Sequence, residues 1–344
     1  MHILYAIQST GNGHLSRAME LLPYLKRKGT VDILVSGPDF RIDFPYYINY
    51  RLKGFGFTFG KSGGIDFFDT CRKSNLLALL RDIKNIPVEK YDLVISDFEP
   101  VSAWACHIKK IPCVALSNQS ALLSKKAPKP KQIDLPGKLI LQYYAPTSVQ
   151  FGIHYRAFDK NIFTPIIRKE IRQSEPTEKN YYTVFLPAYE DEKVKKHLNK
   201  FKDVRWEVFS KEVKTRKTEK NVTLFPIESK TFQKSVVNCK GIITAAGFGT
   251  TTEALFLQKK LLVIPQKSQF EQQYNGAMLK EMGVTVVKKL KKKHHEKIEE
   301  WLHAGKPVEV NYADNAKEII DEVTSGNYKP AYLQLPENFP ALAV

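Results

Sequence analysis

Thr244-Ala-Ala-Gly-Phe-Gly-Thr-Thr-Thr-Glu253 is the stretch on which the reading of this chain turns. The Lys240-Gly-Ile-Ile-Thr244 run that leads into it has the length and branching of a short buried strand. Ala246-Gly-Phe-Gly249 is a tight turn. From Thr250 to Gln258 the spacing is helical, with Ala254, Leu255 and Leu257 as the apolar residues. A glycine turn feeding a helix gathers free N–H groups and the positive end of the helix dipole at one point, which suits an anion. Thr250 and Thr251 can add hydroxyl donors, and Glu253, one turn in, can accept hydrogen bonds from a diol such as a ribose. A junction that binds nothing carries the same local pattern, so the stretch needs support from the rest of the chain.

Outward from it, strands are expected at 181–186, 204–209, 222–225, 241–244, 261–264 and 284–287. They alternate with helices at 190–200, 229–238, 250–258, 270–282, 291–304 and 313–325. The first half repeats the alternation. Strands are expected at 2–7, 31–36, 48–52, 92–96, 112–116 and 148–155, and helices at 14–28, 69–85, 101–110 and 135–145. Gly11-Asn-Gly13 is a glycine-rich turn after the first strand, 54–64 an exposed loop or hairpin, 117–120 a loop, and 156–180 a linker. Strands alternating with helices of this length imply parallel sheets covered on both faces. The expected fold class is α/β, with two doubly wound Rossmann-like domains facing across a cleft.

The 344 residues suffice for two such domains, and 43% hydrophobic with 26% charged residues is the composition of a soluble globular protein. No run approaches the ~20 apolar residues of a membrane span, and the N-terminus lacks the basic start and cleavage site of a signal peptide. Cys71, Cys106, Cys113 and Cys239 show no CxxC spacing and suit reduced cytosolic thiols. The net charge of +17 is concentrated in 125–131, 211–220 and 288–295. Such patches bind nucleic acid, an anionic membrane or only water. No nucleic-acid-binding motif accompanies them, so nucleic acid ranks low.

Three motifs in order now join: Gly11-Asn-Gly-His14, Ala246-Gly-Phe-Gly-Thr-Thr-Thr-Glu253, and Glu271-Gln-Gln-Tyr-Asn-Gly-Ala277 after Pro265. Together they resemble the GT-B fold glycosyltransferases, nearest to the inverting branch that includes MurG and the UDP-glycosyltransferases. The resemblance implies an acceptor-side domain at 1–160, a nucleotide-sugar donor domain at 165–325, and a tail at 326–344 that can pack back on the first domain. It implies that Gly11 and Gly13 approach donor phosphates and acceptor, and that His14 is the general base. It assigns Gly247, Gly249 and Thr250 to the diphosphate, with Thr251 beside them, Glu253 to the ribose, and Gln272 and Gln273 to the donor sugar. Phe225 to Ile227 fall where such enzymes grip the nucleobase, and Arg168 where an arginine can face the phosphates. Asp97 either orients His14 or caps the helix after Pro100.

The chemistry is consistent with that assignment. A neutral histidine can take the acceptor's proton, and a helix N-terminus can stabilise charge on a leaving phosphate. No metal is then expected: the sequence has no Asp-x-Asp pair, and the closest lookalike, Asp97-Phe-Glu99, lies in the wrong domain for a donor metal. Retaining GT-B families resemble one another in a Glu-x7-Glu pattern. The position eight before Glu253 is Ala245, which favours inversion by direct displacement. The chain departs from MurG in Leu186-Pro-Ala-Tyr-Glu190, which lacks glycine, and in Ser117-Asn-Gln-Ser120. Those departures argue against the peptidoglycan lipid substrate and leave the acceptor open. Lys125, Lys126, Lys129 and Lys131 beside an apolar helix can dock an anionic membrane, or simply be solvated. The expected function is therefore transfer from a nucleotide-sugar, UDP first, to a hydroxyl acceptor, lipid-linked if the lysine loop docks. The expected place is the cytoplasm, peripheral at the inner membrane face in that case. The alternatives are a non-catalytic nucleotide-sugar-binding subunit at a membrane surface and a nucleotide-sugar epimerase.

Overall fold

The structure, a computed structural model, describes residues 1–40, 42–54, 76–130, 135–267 and 269–329. The expected loop beyond Gly54, the first turns of the helix expected from Asp69, Cys71, Lys131 and most of the C-terminal tail lie outside the described residues. The first half contains β1 (His2–Gln8), α1 (Asn12–Leu25), β2 (Thr30–Ser36), β3 (Tyr50–Leu52), α2 (Leu76–Asn85) and β4 (Leu93–Asp97). It continues with α3 (Pro100–Lys109), β5 (Cys113–Ser117), α4 (Asn118–Ala121), α5 (Leu135–Tyr143), β6 (Val149–Ile153) and β7 (Ile162–Phe163). Its strands pair in parallel in the order β3-β2-β1-β4-β5-β6-β7.

The second half contains α6 (Lys169–Arg172), β8 (Lys179–Phe185), α7 (Asp191–Leu198), β9 (Trp206–Ser210), β10 (Lys217–Glu219), β11 (Val222–Pro226) and α8 (Ser229–Asn238). Then come β12 (Cys239–Thr244), α9 (Phe248–Phe256), β13 (Lys260–Val263), α10 (Phe270–Glu281), β14 (Thr285–Val286), α11 (His295–Ala304) and α12 (Ala316–Ser325). The order is β10-β11-β9-β8-β12-β13-β14, parallel except for β10, which pairs antiparallel with β11.

Both sheets are covered on both faces, and the strands show why. In β1, Ile3, Tyr5 and Ile7 enter the core under α1, whereas Leu4 and Ala6 enter the core under α3. In β12, Ile242 and Ile243 likewise face two different cores. Period-2 alternation between two dry faces demands consecutive apolar residues, as in Ile3 to Ile7 of β1 and at Ile242 and Ile243 of β12. The strand order reverses beside β1 and beside β8. In open α/β sheets, ligands bind at such switch points, outside the carboxyl ends of the strands. The Gly11 turn leaves the carboxyl end of β1, and the Gly247 turn that of β12, the neighbour of β8.

Besides the short strand β10, three features depart from the sequence expectation. The segment expected as a linker holds β7, which extends the first sheet, and the short α6. The loop expected at 117–120 is α4, capped by the Ser117 hydroxyl, which accepts from the Ser120 amide at 3.1 Å. The helix expected at the end of the second domain, α12, crosses back to the first. Ala316, Ile319, Ile320 and Val323 pack with Leu15, Leu22 and Leu25 of α1.

Candidate active site

Gly11 turns the chain from β1 into α1 at φ 85°, a left-handed conformation that costs glycine nothing and disfavours other residues. His14 then stands in the first turn of α1, 9% exposed. Its Nδ1 lies 2.8 Å from Asp97 Oδ1. Asp97 ends β4, pairs in register with Ile7 of β1 and is fully buried. Capping of α3 falls to Glu99 instead, whose carboxylate accepts from the Val101 and Ser102 amides at 2.8 and 2.7 Å. Of the two roles open to Asp97, its contacts are therefore those of an orienter. Burial alone would raise its carboxyl, but Arg17 and His14 outweigh burial and hold it below the usual carboxylate range.

His14 opens into a cavity of about 100 Å3 between the two halves. Its polar wall includes Gln119 and Glu271, and its apolar wall Phe98, Ile140, Leu141 and Phe270. Gln119 Nε2 stands 3.5 Å from His14 Nε2 and 3.0 Å from Glu271 Oε2, so α4 and α10 meet over the histidine. Asn118 Nδ2 donates to the other Glu271 oxygen at 2.8 Å. Two cavity-lining acceptors, Thr10 Oγ1 and Gln119 Oε1, are buried without a protein partner. Buried polar atoms are ordinarily paired, so a polar guest would find partners there. Phe98 holds φ 54°, a strained value for an aromatic residue, and turns its ring into the cavity against Tyr144.

The second glycine turn sits one residue pair away. Asn275 Nδ2 donates to Ala246 O at 3.0 Å and approaches Glu271 Oε1 at 3.4 Å, tying the turn to the cavity wall. A Cβ at Gly247 or Gly249 would meet nothing within 4 Å, so the backbone at the start of α9 faces open space. Thr250 is half-buried there. Thr251, expected as a second hydroxyl donor, is instead fully buried. Its hydroxyl bonds Gly247 O and the Tyr155 hydroxyl, because the fourth residue of the helix points into the core. Glu253 and Arg168, expected on ribose and phosphates, are paired with each other at 2.5 and 2.9 Å.

Gln272 and Gln273 do not line the cavity. Gln272 binds the Gln266 amide and the Gln269 side chain, and Gln273 binds Gln266 O, so both brace the loop before α10. The neighbouring Glu271 takes the cavity position instead, since one residue along a helix turns the side chain by about 100°. Phe225 stacks on Phe209 at the end of β11, and Ile227 is exposed beyond it.

A family model described as glycosyl transferase family 1 matches residues 1–304. The chain belongs to that family. Among solved structures similar to this glycosyltransferase is MurG of Acinetobacter baumannii, 14% identical, TM-score 0.51, covering 94% of each chain. Another is UGT2 of Phytolacca americana, in complex with UDP-2-fluoro-glucose and pterostilbene. It is 12% identical, with a TM-score of 0.57, and covers 94% of this chain and 93% of that one. A third, the spinosyn rhamnosyltransferase SpnG with thymidine diphosphate, is 13% identical, with a TM-score of 0.51, and covers 94% and 96%. These likenesses establish the GT-B fold. No curated protein matches the chain in direct sequence comparison.

In and beside the cavity stand further residues to which the sequence reading gave no role: Arg17, Phe98, Gln119, Glu271 and the inner face of α5. Arg17 had a signal, since it stands three residues after His14 on one helical face. The others had none, because partners as distant as Gln119 and Glu271 meet only through the fold. Lys125, Lys126 and Lys129 are exposed, and Lys126 pairs with Asp159 at 2.8 Å. Ile140 and Leu141 of α5 face the cavity, while Leu139 is exposed. Among the described residues, no helix is long and apolar enough to cross a membrane.

Proposed function

We propose that this glycosyltransferase moves a sugar from a nucleotide-sugar, UDP first, to a hydroxyl acceptor with inversion and without a metal. The observation that carries this reading is the His14–Asp97 pair, which opens into a cavity walled by both halves. Asp97 accepts from Nδ1–H, so Nε2 keeps its lone pair toward the cavity. As the acceptor oxygen attacks the anomeric carbon, Nε2 takes its proton and the carbon–phosphate oxygen bond breaks on the opposite face. The departing diphosphate gathers charge, and the free N–H groups at the start of α9, with the Thr250 hydroxyl, are placed to stabilise it. Glu271 meets the sugar hydroxyls, which replace Asn118 and Gln119 as its donors. Glu253 accepts from the ribose while Arg168 turns toward the phosphates or holds the Glu253 carboxylate in place. The apolar wall favours an acceptor whose hydroxyl is attached to an apolar group.

UDP is tested before thymidine diphosphate on two grounds, the motif resemblance and the carboxylate of Glu253, which a ribose diol engages more fully than a deoxyribose. The experiment is a thermal-shift panel of UDP, thymidine diphosphate, GDP, CMP and UDP-sugars on the wild type and Glu253→Gln. A ligand at 100 times its dissociation constant stabilises the folded state by about 2.7 kcal/mol. A shift with UDP that Glu253→Gln weakens supports the reading. No shift with any nucleotide at millimolar concentration, in a folded sample, overturns it.

A further inference from the structure

A histidine beside a buried carboxylate tends to become its counter-ion, because the imidazolium–carboxylate pair favours the charged forms of both. An imidazolium takes no proton from an acceptor hydroxyl. In this chain the carboxylate already has a cation. Arg17 is 7% exposed and binds both Asp97 oxygens, Nη2 to Oδ1 at 2.5 Å and Nε to Oδ2 at 3.1 Å. Asp97 is fully buried, so the two charges attract with little screening by water.

His14 Nδ1 and Arg17 Nη2 lie 3.0 Å apart and converge on the same Asp97 oxygen. That oxygen only accepts, so Nδ1 carries a hydrogen, and in the neutral ring Nε2 is then the bare nitrogen. Arg17, Asp97 and a neutral His14 sum to zero charge. A second proton on His14 would set two positive charges 3.0 Å apart in a buried site.

We propose that Arg17 is a positioning residue: it supplies the positive charge that Asp97 requires, so that Asp97 orients His14 as a neutral base instead of holding it as an imidazolium. This rests on His14 acting as the base, yet the state of its ring can be read without turnover. The surrounding groups do not replace Arg17. Glu271 of α10 reaches His14 only through Gln119, and its negative charge would favour the imidazolium. Tyr5 of β1, the other titratable group near the Arg17–Asp97 pair, stays neutral because burial pushes its hydroxyl up. Asn118 and Gln119 of α4 carry no charge.

The test is nitrogen-15 NMR of histidine-labelled full chain, with the His14 signals assigned through His14→Gln. In wild type at pH 7 the ring is neutral with hydrogen on Nδ1. In Arg17→Gln the ratio of imidazolium to imidazole at pH 7 rises at least about tenfold, the effect of one nearby charge. Arg17→Lys keeps the ring neutral. An imidazolium in the wild type, or an unchanged ring in Arg17→Gln, overturns the proposal. If Arg17→Gln does not fold, the double variant Arg17→Gln with Asp97→Asn removes both charges. His14 then stays neutral but loses its Nδ1–H preference, and an imidazolium there overturns the proposal. Failure of the transferase reading shows separately, as absence of nucleotide binding.

Discussion

Gly249→Ala should move stability and nucleotide binding in opposite directions. Gly249 is the second residue of α9, exposed, with no positive φ and nothing within 4 Å of an added Cβ. The folded protein can therefore accept the methyl group without strain. Alanine narrows the unfolded ensemble and favours the helix, so the ligand-free protein should gain about 0.4–1 kcal/mol. In the proposed function, the space the methyl group fills is the space a diphosphate needs to reach the N–H groups at the start of α9. Forcing a methyl group into a fitted contact costs about 1–3 kcal/mol, which is a loss of about 5- to 150-fold in affinity. Ligand-free melting by fluorimetry checks the first effect, and calorimetric titration with UDP the second. An alanine variant that binds UDP as tightly as wild type would refute the placement of the diphosphate at this turn. A variant that melts lower without ligand would refute the claim that the glycine is there for a guest and not for the fold.

Other substitutions separate the parts of the site. His14→Ala should leave the UDP dissociation constant within about twofold while turnover falls about 10²- to 10⁴-fold, the usual worth of a general base; equal loss of binding would speak against that role. Glu99→Gln should lower stability by about 1–3 kcal/mol with UDP affinity unchanged, because the amide cannot accept from all of Val101 N, Ser102 N, Ser102 Oγ and Ser36 Oγ. His154, buried among Tyr155, Phe158 and Phe248, is pushed by burial down to about 4. A group depressed on folding contributes stability above its unfolded value that is lost as pH falls toward the folded one. Between about pH 6.5 and pH 4 the protein should therefore lose about 3 kcal/mol at most through this residue. His154→Phe should flatten that part of a denaturation-versus-pH curve, and an unchanged curve would contradict it.

The strands and long helices were legible because each announces itself locally. Ile3 to Ile7 and Ile242 to Ile243 are apolar on consecutive positions, which only a sheet covered on both faces explains. Short elements were not legible. β7, with two residues, and β10, with three, owe their existence to the strand beside them and carry no period of their own. In the site, the sequence named His14 and Asp97 and left two roles for the second. In the structure Glu99 caps α3, and Asp97 contacts His14 and Arg17. Sequence reading assigned a role to Gln272 and Gln273 and none to Glu271, which lines the cavity, because residue type and order do not say which way the first turn of α10 faces.

By itself the sequence determined the alternation of strands and helices, the two glycine turns and the residue types able to take a proton or hold a phosphate. These depend on spacing along one strand or helix. Only the tertiary structure decided which groups meet: Arg17 with Asp97, Gln119 between His14 and Glu271, Arg168 on Glu253, and α12 on the first core rather than the second. Each of these contacts outside α1 joins residues more than 75 positions apart. Their partners are chosen by how two packed sheets bring the ends of their strands together, and no local pattern encodes that distance.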